Sequence, residues 1–380
     1  MAFRLPTLTL FAAGALLVAG CGHRRAPERI AGTPPCFQSG TSVAGQEPVR
    51  WERPDGSEDR TRLDAWCWAV GAPHRALGDG TAGSAVADSV AVVVWNTHVG
   101  GGEIQRFLAD LRAGHVTGGR PVDHFVLLLQ EVHRGGAAVP SAPPSWTATA
   151  RRVHSVPPGE TRIDVETLAA REGLHVFYAP SMRNGSPGDG GPPEDRGNAI
   201  LSTLPLAQAT AAELPYERQR RVAVFASVEG RDTDDRPWKV RFVSVHLDNR
   251  AALSRIHRSF GAAQSNQARG LIAALGDGGA TVVGGDLNTW YRDDEAGAVE
   301  ILQARFASLT HRPRAKTAAI PLLPDLTLDH LFFGLPEGWD ARYKVVDDRY
   351  ASDHSPLVGW VRMGAAATRG VKIVDEDVLY

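Results

Sequence analysis

The stretch Val282-Val283-Gly284-Gly285-Asp286-Leu287-Asn288 begins as an apolar run and ends abruptly in an acid and an amide. Short runs of this kind are typical of parallel β-strands, because such strands are covered on both faces. The runs Ala91-Val92-Val93-Val94-Trp95 and Phe125-Val126-Leu127-Leu128-Leu129 have the same character. Together they predict an α/β fold in which helices cover the faces of a sheet.

Amphipathic stretches alternate with these runs along the chain. In residues 103–111, apolar side chains recur at helical spacing. Residues 78–84 and 182–195 are predicted loops, because they are rich in Gly or in Gly and Pro. The α/β domain is expected to span residues 89–363. Its further helices are expected at 163–172, 262–275 and 297–306, and its further strands at 175–178, 198–203, 221–228, 239–246, 328–333 and 356–361.

The composition agrees with a large globular domain. The chain of 380 residues is 43% hydrophobic and 22% charged, so it can fill a sizeable core. Its 41 Lys and Arg residues against 43 Asp and Glu residues give a formal charge of −2. Proteins that grip long nucleic acids by counterion release usually carry a strong positive excess, so this balance disfavours such a partner.

Residues 1–20 have the pattern of a targeting signal. They carry one charged residue, Arg4, followed by an apolar run that suits a secretory signal and is too short to span a membrane. The run ends in Val18-Ala19-Gly20-Cys21, which resembles the lipobox of bacterial lipoproteins. The resemblance implies lipidation of Cys21 and a membrane-anchored lipoprotein outside the cytoplasm, either periplasmic or on the cell surface. An ordinary secretory signal with an incidental cysteine is the alternative.

Three segments lie outside the predicted domain and its signal. Residues 21–50, rich in Pro and Gly, are predicted to be a tether, residues 51–88 an N-terminal extension without an assigned role, and residues 364–380 a C-terminal tail. The two remaining cysteines, Cys36 and Cys67, are a possible disulfide pair, because an extracytoplasmic compartment permits disulfides. Two buried free thiols are the alternative.

Polar residues directly follow or precede the predicted strands. Strand ends in an α/β sheet point to the crevice where ligands usually bind. One polar residue at a strand end is often a turn former or a helix cap, whereas a whole set of them predicts a site. The set comprises Asn96, Glu131, His246, Asp286, Asn288, Asp329, Asp353 and His354.

The residue types in this set indicate the chemistry. Carboxylates are hard oxygen donors that suit Mg²⁺ or Mn²⁺. The HExxH motif of zinc hydrolases, the GxxxxGK[ST] phosphate loop and the GxSxG elbow of α/β-hydrolases are absent from the sequence. Acids, amides and imidazoles around a hard cation favour attack of water on a phosphoester.

From about residue 90 to residue 361 the chain resembles the endonuclease/exonuclease/phosphatase superfamily of metal-dependent phosphoesterases. The resemblance implies a four-layer α/β sandwich, in which two packed β-sheets are flanked by helices, and a metal-dependent phosphoric ester hydrolase. The matching motifs, in chain order, are Val94-Trp95-Asn96, Leu129-Gln130-Glu131, Arg196-Gly197-Asn198-Ala199-Ile200-Leu201-Ser202, Val245-His246-Leu247, Gly284-Gly285-Asp286-Leu287-Asn288, Leu328-Asp329-His330-Leu331-Phe332 and Ser352-Asp353-His354-Ser355-Pro356-Leu357.

The resemblance also implies roles for the site residues. Glu131 and Asp353 would hold the metal ion, Mg²⁺ or Mn²⁺. Asp286 would orient and deprotonate the attacking water, with Asn96 holding that geometry. Asn288, His246 and His354 would contact the phosphate. Asp329 would fix the tautomer of His354 and raise its pKa. The ordinary structural alternatives are a solvated strand end for Glu131, a turn residue for Asp286 and a core histidine for His246.

Two features concern the choice of substrate. Abasic-site endonucleases of the superfamily carry a metal-binding acid two residues after the Asn, whereas this chain has Asn96-Thr97-His98, which disfavours abasic-site repair. The run Arg218-Gln219-Arg220-Arg221 and the pair Arg183 and Arg196 are candidates for binding substrate phosphates, since guanidinium groups suit phosphate oxygens. A solvated strand edge is the alternative.

The sequence therefore predicts a lipid-anchored, Mg²⁺-dependent phosphodiesterase or nuclease-like hydrolase outside the cytoplasm. Its substrate would be a nucleic acid, a phospholipid or a small phosphodiester such as a sugar phosphodiester, with no obligate protein partner. The rival from another class is a non-catalytic surface-binding lipoprotein that retains the fold. Such a protein is expected to have lost a catalytic residue, and none of the set is missing.

Overall fold

The computed structural model describes residues 33–38, 48–79, 85–154, 162–249, 262–276, 278–289, 297–306, 316–319 and 326–364. The predicted signal with Cys21, most of the predicted tether and residues 365–380 of the predicted tail lie outside these residues. No helix in the described part is long and apolar enough to cross a membrane.

Fourteen strands and five α-helices lie within the described residues. The helices are α1 (Ser57–Cys67), α2 (Ile104–Ala113), α3 (Val165–Glu172), α4 (Ala262–Leu275) and α5 (Ala298–Arg305). The strands are β1 (Arg50–Glu52), β2 (His74–Ala76), β3 (Ala85–Val86), β4 (Ser89–Asn96), β5 (Phe125–Gly135), β6 (His175–Arg183), β7 (Glu194–Ser202), β8 (Ala207–Glu213), β9 (Val222–Arg231), β10 (Pro237–His246), β11 (Ala280–Asp286), β12 (Asp329–Gly334), β13 (Asp340–Val345) and β14 (Leu357–Arg362).

The strands form two mixed sheets of seven strands each. The first has the order β1-β8-β9-β10-β11-β12, with β3 also paired to β9, and the second has the order β13-β14-β4-β5-β7-β6-β2. The central pairs β10–β11 and β4–β5 are parallel, so the carboxyl ends of each pair lie at the same edge of the sheet. This places Asn96, His246 and Asp286, the last residues of β4, β10 and β11, at those edges. Glu131 instead lies inside β5, which continues past the end predicted for it to Gly135.

The sheets pack face to face and helices cover their outer faces. Along β4, Val92 and Val94 belong to the core between the sheets, whereas Val93 and Trp95 belong to a second core beneath α2 and α3. A third core joins α4 and α5 to the outer face of the other sheet. Both faces of the central strands are therefore buried, which explains why their sequences are apolar throughout. The predicted fold class, an α/β sandwich of two sheets flanked by helices, is confirmed.

Local sequence signals set the ends of the outer helices. Asp164 caps α3, because its carboxylate accepts hydrogen bonds from the backbone amides of Glu166 and Thr167. The helices α2 and α3 end at Gly114 and Gly173, whose φ angles of 87° and 64° lie in the left-handed region that glycine adopts without strain.

The segment expected to be an N-terminal extension is built into the sandwich. Its strands β1 and β3 pair with β8 and β9 of one sheet, and β2 pairs with β6 of the other. Cys36, which the sequence assigns to a tether, is fully buried and forms a disulfide with Cys67 at the end of α1. The predicted loop at 182–195 is shorter than expected, because Met182 and Arg183 end β6 and Glu194 begins β7.

Candidate active site

Strand register brings six of the predicted site residues to one place. His246 ends β10 and is the register partner of Asp286, which ends β11, and Asp286 is in turn the partner of Asp329 at the start of β12. Asn96 ends β4 in the opposite sheet, and its side chain reaches Asp286. Asn288 and His354 complete the group, because Asn288 contacts His246 and His354 contacts Asp329.

Asp286 lies at the centre of the group and is almost fully buried. Its Oδ2 accepts a hydrogen bond from Asn96 Nδ2 at 3.0 Å, and its Oδ1 accepts one from the Asn288 backbone amide at 2.8 Å. Burial raises the pKa of Asp286 to about 7, although the positive charge of His354 opposes that shift. A buried carboxyl group that titrates near neutrality is suited to accept a proton.

His354 and Asp329 form a buried charge-assisted pair. The His354 Nδ1 lies 2.7 Å from Asp329 Oδ2, and its Nε2 lies 3.8 Å from Asp286 Oδ2. Burial by itself would lower the pKa of His354, but the charges of Asp329 and Asp286 outweigh it and raise the pKa to about 10. His354 is therefore an imidazolium at neutral pH, with its second N–H turned toward Asp286.

His246 is held as a neutral imidazole. Burial, followed by the positive charges of Arg221, His354 and Arg196, lowers its pKa well below the ordinary value. The Asn288 amide nitrogen lies 3.0 Å from His246 Nε2 and donates to the Leu247 carbonyl at 3.0 Å. The other ring nitrogen, Nδ1, faces Glu131 Oε1 at 4.0 Å.

Asn96 connects the catalytic group to the loop that carries His98. While its Nδ2 donates to Asp286, its Oδ1 accepts a hydrogen bond from the His98 backbone amide at 3.0 Å. The His98 Nδ1 lies 3.0 Å from Asp353 Oδ1, and this hydrogen bond raises the pKa of His98 against the opposing effect of burial. The side chains of His98 and Asp353 are 33% and 39% exposed. The pair occupies the position where the sequence departs from the abasic-site endonucleases.

Three residues of the site have strained backbones. The φ angles of His98, Glu131 and Asn288 are 48°, 51° and 51°, in the left-handed region that side chains other than glycine rarely adopt. Strain of this kind persists where the surrounding structure fixes it, and it concentrates at functional sites. Two of these residues, His98 and Asn288, follow β4 and β11, whereas Glu131 lies inside β5, where the strand is irregular.

Glu131 sits in an irregularity of the sheet. The register between β5 and β7 shifts between Leu129 and Val132, and the register between β6 and β7 shifts between Pro180 and Met182. The two irregularities flank Gly197, where a Cβ would lie 2.1 Å from the Ala179 carbonyl oxygen. Irregularities of this type re-aim side chains beside active sites, and here they adjoin a pocket lined by Glu131, Ser181, Met182, Arg196, Gly197, Asn198, Arg221 and His246.

The acidic residues of the site fit a hard divalent cation. Asp286, Asp329 and His354 place donor atoms within 4.8 Å of one another, but the protonated His354 is a poor metal ligand, which leaves the carboxylates as donors. Asp329 Oδ1 is buried and has no hydrogen-bond partner within the described part of the chain. The Glu131 carboxylate, predicted to be the main ligand, lies across His246 from Asp286. Asp353, the second predicted ligand, is engaged by His98.

The basic residues divide into structural and pocket-lining groups, a difference that the sequence did not predict. Arg220 is fully buried against Glu213 and donates to the Pro180 carbonyl at 2.8 Å, and Arg183 donates to the carbonyls of Ala69 and Pro140. Both therefore hold the fold together. Arg196 and Arg221 instead line the pocket beside Glu131. Burial lowers the pKa of Arg196, a shift that the Glu131 charge opposes.

The sequence profile of the "Endonuclease/Exonuclease/phosphatase family" matches residues 93–354, a range that includes all six residues gathered around Asp286. The chain belongs to this family. Enzymes of the endonuclease/exonuclease/phosphatase family are divalent-metal-dependent hydrolases of phosphoesters, and this chain is therefore a phosphoester hydrolase. No curated protein matches the chain significantly.

Several solved structures resemble the chain at low sequence identity. An endonuclease/exonuclease/phosphatase from Beutenbergia cavernae DSM 12333 is 20% identical, with 74% of each chain covered and a TM-score of 0.47. The sphingomyelinase C of Streptomyces griseocarneus is 16% identical, with 74% of this chain and 100% of that chain covered and a TM-score of 0.40. A 3′ phosphatase, NExo, from Neisseria, bound to a product DNA hairpin, is 16% identical, with 71% and 98% covered and a TM-score of 0.41.

Proposed function

We propose that the chain hydrolyses phosphodiester bonds outside the cytoplasm, using water activated at Asp286 and a Mg²⁺ or Mn²⁺ ion held by Glu131 and Asp353. The observation that carries the proposal is the position of Asp286, whose carboxylate lies within hydrogen-bond or ion-pair distance of Asn96, His246 and His354. If Asp286 were only a turn residue, burial of its carboxylate among these groups would not be expected.

The proton balance of the reaction follows from these contacts. Asp286 accepts a proton from the attacking water, since its pKa of about 7 leaves a large ionised fraction at neutral pH. Asn96 and the Asn288 backbone amide fix the carboxylate so that it does not need to reorganise during the reaction. The bond between phosphorus and the leaving oxygen breaks as the bond from water forms, and the leaving oxygen then takes up a proton from solvent.

The histidines act on the phosphoryl group. The His354 imidazolium stabilises negative charge on the phosphoryl oxygens, and Asp329 keeps it protonated and oriented. His246 remains neutral, with its Nδ1 on the side of Glu131 and its Nε2 on the side of Asp286. A bound divalent cation would add Lewis-acid polarisation of the phosphoryl oxygens.

Hydrolysis of bis(p-nitrophenyl) phosphate tests the reaction class. The full chain is expected to hydrolyse this phosphodiester with Mg²⁺ or Mn²⁺ and to stop when EDTA is added. Asp286→Asn should lower kcat by at least about 100-fold, because the variant keeps the size of the side chain but loses the proton acceptor. Asp340→Asn, on edge strand β13, is the matched control and should keep the wild-type rate. Equal rates in the two variants would contradict the role of Asp286.

Attachment to a membrane through Cys21 is the second part of the proposal. The pattern Val18-Ala19-Gly20-Cys21 supports it, and the Cys36–Cys67 disulfide is in keeping with an oxidising compartment outside the cytoplasm. Expression of the full chain in a bacterial host, followed by fractionation, tests this part. The wild type should pellet with membranes and Cys21→Ser should move to the soluble fraction. Equal membrane association of both forms would refute the anchor.

A further inference from the structure

Two guanidinium groups turn into the pocket that lies beyond His246. Arg196, near the start of β7, and Arg221, immediately before β9, both line it, together with the carboxylate of Glu131. The side chain of Arg221 is only 6% exposed, and its Nε has no hydrogen-bond partner among the described residues. This Nε forms an ion pair with Asp248 Oδ1 at 3.6 Å, a distance outside hydrogen-bond range.

The positions of the two arginines are fixed by neighbouring strands. Asn198 donates from Nδ2 to the Val222 carbonyl at 2.7 Å and so joins β7 to the start of β9. Arg220, the neighbour of Arg221, holds the β6 irregularity through the carbonyls of Pro180 and Ser181. The backbone that carries the two arginines is therefore fixed before a ligand binds, which lowers the entropic cost of binding there.

The positive side chains of the pocket favour an anionic ligand. Its lining carries two guanidinium groups and one carboxylate, Glu131, which is the proposed metal ligand; Asp248 forms an ion pair with Arg221. Buried charges are costly unless they are paired, and planar guanidinium groups bind phosphate oxygens in a bidentate manner. A quaternary ammonium group would instead meet two like charges at close range.

We infer that Arg196 and Arg221 form a second phosphate subsite, so that the substrate carries a further phosphate group beside the ester that is cleaved. The inference deepens the proposed function and rests on it for the position of the scissile phosphate. The contacts support that separation: His246 lies between Asp286, at 3.4 Å from its Nε2, and the Glu131 side of the pocket. The substrate class is a phosphoester with neighbouring phosphates, such as successive nucleotides carry, and not one whose alcohol bears a choline cation.

Binding of a matched pair of ligands tests the subsite without hydrolysis. The full chain is titrated in EDTA with thymidine 3′,5′-bisphosphate and with thymidine 5′-monophosphate, and isothermal calorimetry gives the two values of Kd. The bisphosphate is expected to bind about tenfold more tightly, as a charge-assisted contact provides. Phosphocholine is expected to bind more weakly than the monophosphate. Equal Kd values for the two thymidine ligands in the wild type would overturn the inference, whatever the variants do.

Variants assign the preference to the two arginines. Arg196→Gln and Arg221→Gln should each reduce the ratio of the two Kd values toward one. Arg171→Gln, at an exposed position in the last turn of α3, is the matched control and should keep the wild-type ratio. A ratio unchanged in both pocket variants would overturn the inference. The same comparison with 2-deoxyribose 3,5-bisphosphate and 5-phosphate isolates the phosphate from the base, and loss of the preference there would contradict a phosphate subsite.

The two proposals fail in different ways. Absence of bis(p-nitrophenyl) phosphate hydrolysis with Mg²⁺, together with an intact preference for the bisphosphate, would refute the proposed reaction and leave the subsite standing. Hydrolysis without that preference would refute the subsite and leave the reaction standing.

Discussion

Replacement of Gly197 by Ala tests whether close contact between β6 and β7 shapes the site. A Cβ at this position would lie 2.1 Å from the Ala179 carbonyl oxygen and 2.7 Å from Pro180 Cα, and both are backbone atoms. An ordinary contact between carbon and a carbonyl oxygen is about 3.3 Å or longer, so β7 must move by about 1 Å. Because Arg196 and Asn198 flank the substituted residue, the displacement passes directly into the pocket.

The expected decreases in Tm and in rate follow from the cost of overpacking and from the displacement of catalytic groups. Overpacking costs about 1–3 kcal/mol, and the upper part of that range applies because backbone atoms cannot rotate away. For a domain of this size, 1 kcal/mol lowers Tm by about 2–4 °C, so a decrease of about 5–10 °C is expected. Misplacement of about 1 Å at a catalytic site costs about 100-fold in rate.

Gly135→Ala provides the control on the neighbouring strand β5. The φ angle of Gly135 is −125°, and the nearest atom to its Cβ position is 3.9 Å away, so alanine fits without strain. Calorimetric unfolding and bis(p-nitrophenyl) phosphate hydrolysis are measured for both variants and the wild type. If Gly197→Ala unfolds within about 1 °C of Gly135→Ala and keeps its rate, close contact at Gly197 does not shape the site.

Three further predictions concern the metal, the disulfide and pH. Binding of Mg²⁺ should increase the Tm of the wild type, and Glu131→Gln should abolish that increase. The exposed control Glu337→Gln should keep the increase. If the increase persists in Glu131→Gln, Glu131 is not a metal ligand. The double substitution Cys36→Ala with Cys67→Ala removes a disulfide that joins residues 31 positions apart in the sequence. It should lower the free energy of unfolding, measured by denaturant titration, by about 3–4 kcal/mol. An unchanged free energy of unfolding would contradict a stabilising role of the disulfide. Burial lowers the pKa of His175, so its contribution to stability should be complete above about pH 6.5 and decrease as the pH falls below that value. His175→Gln should flatten this part of the pH profile of Tm, and an unaltered slope would assign the dependence to other groups.

Two strands, β8 and β13, could not be predicted from the sequence. Strand β8 reads Ala207-Gln208-Ala209-Thr210-Ala211-Ala212-Glu213, in which Thr210 is the only β-branched residue and no residue is aromatic, so the sequence carries little indication of a strand. Strand β13 lies at the edge of its sheet and is only partly buried, so its sequence is polar. Such strands form because a neighbouring strand offers unpaired backbone groups, and only the folded chain supplies that neighbour.

The sequence by itself determined the layered fold and most of the candidate site. Burial on both faces demands continuous apolar runs, and the carboxyl ends of neighbouring parallel strands must meet, so residues such as His246 and Asp286 could be predicted to converge from their positions alone. The order of the motifs then indicated the family.

Only the tertiary structure decided how the side chains around that convergence are used. It placed Glu131, on a strained backbone, in a pocket that shares His246 with the catalytic group, and it paired His98 with Asp353. It also gave neighbouring arginines different roles: Arg220 stabilises the fold, whereas Arg221 lines the pocket. It also built the N-terminal extension into both sheets. These outcomes depend on register shifts and on contacts between residues far apart in the chain, because a shift of one residue reverses the direction in which a side chain points.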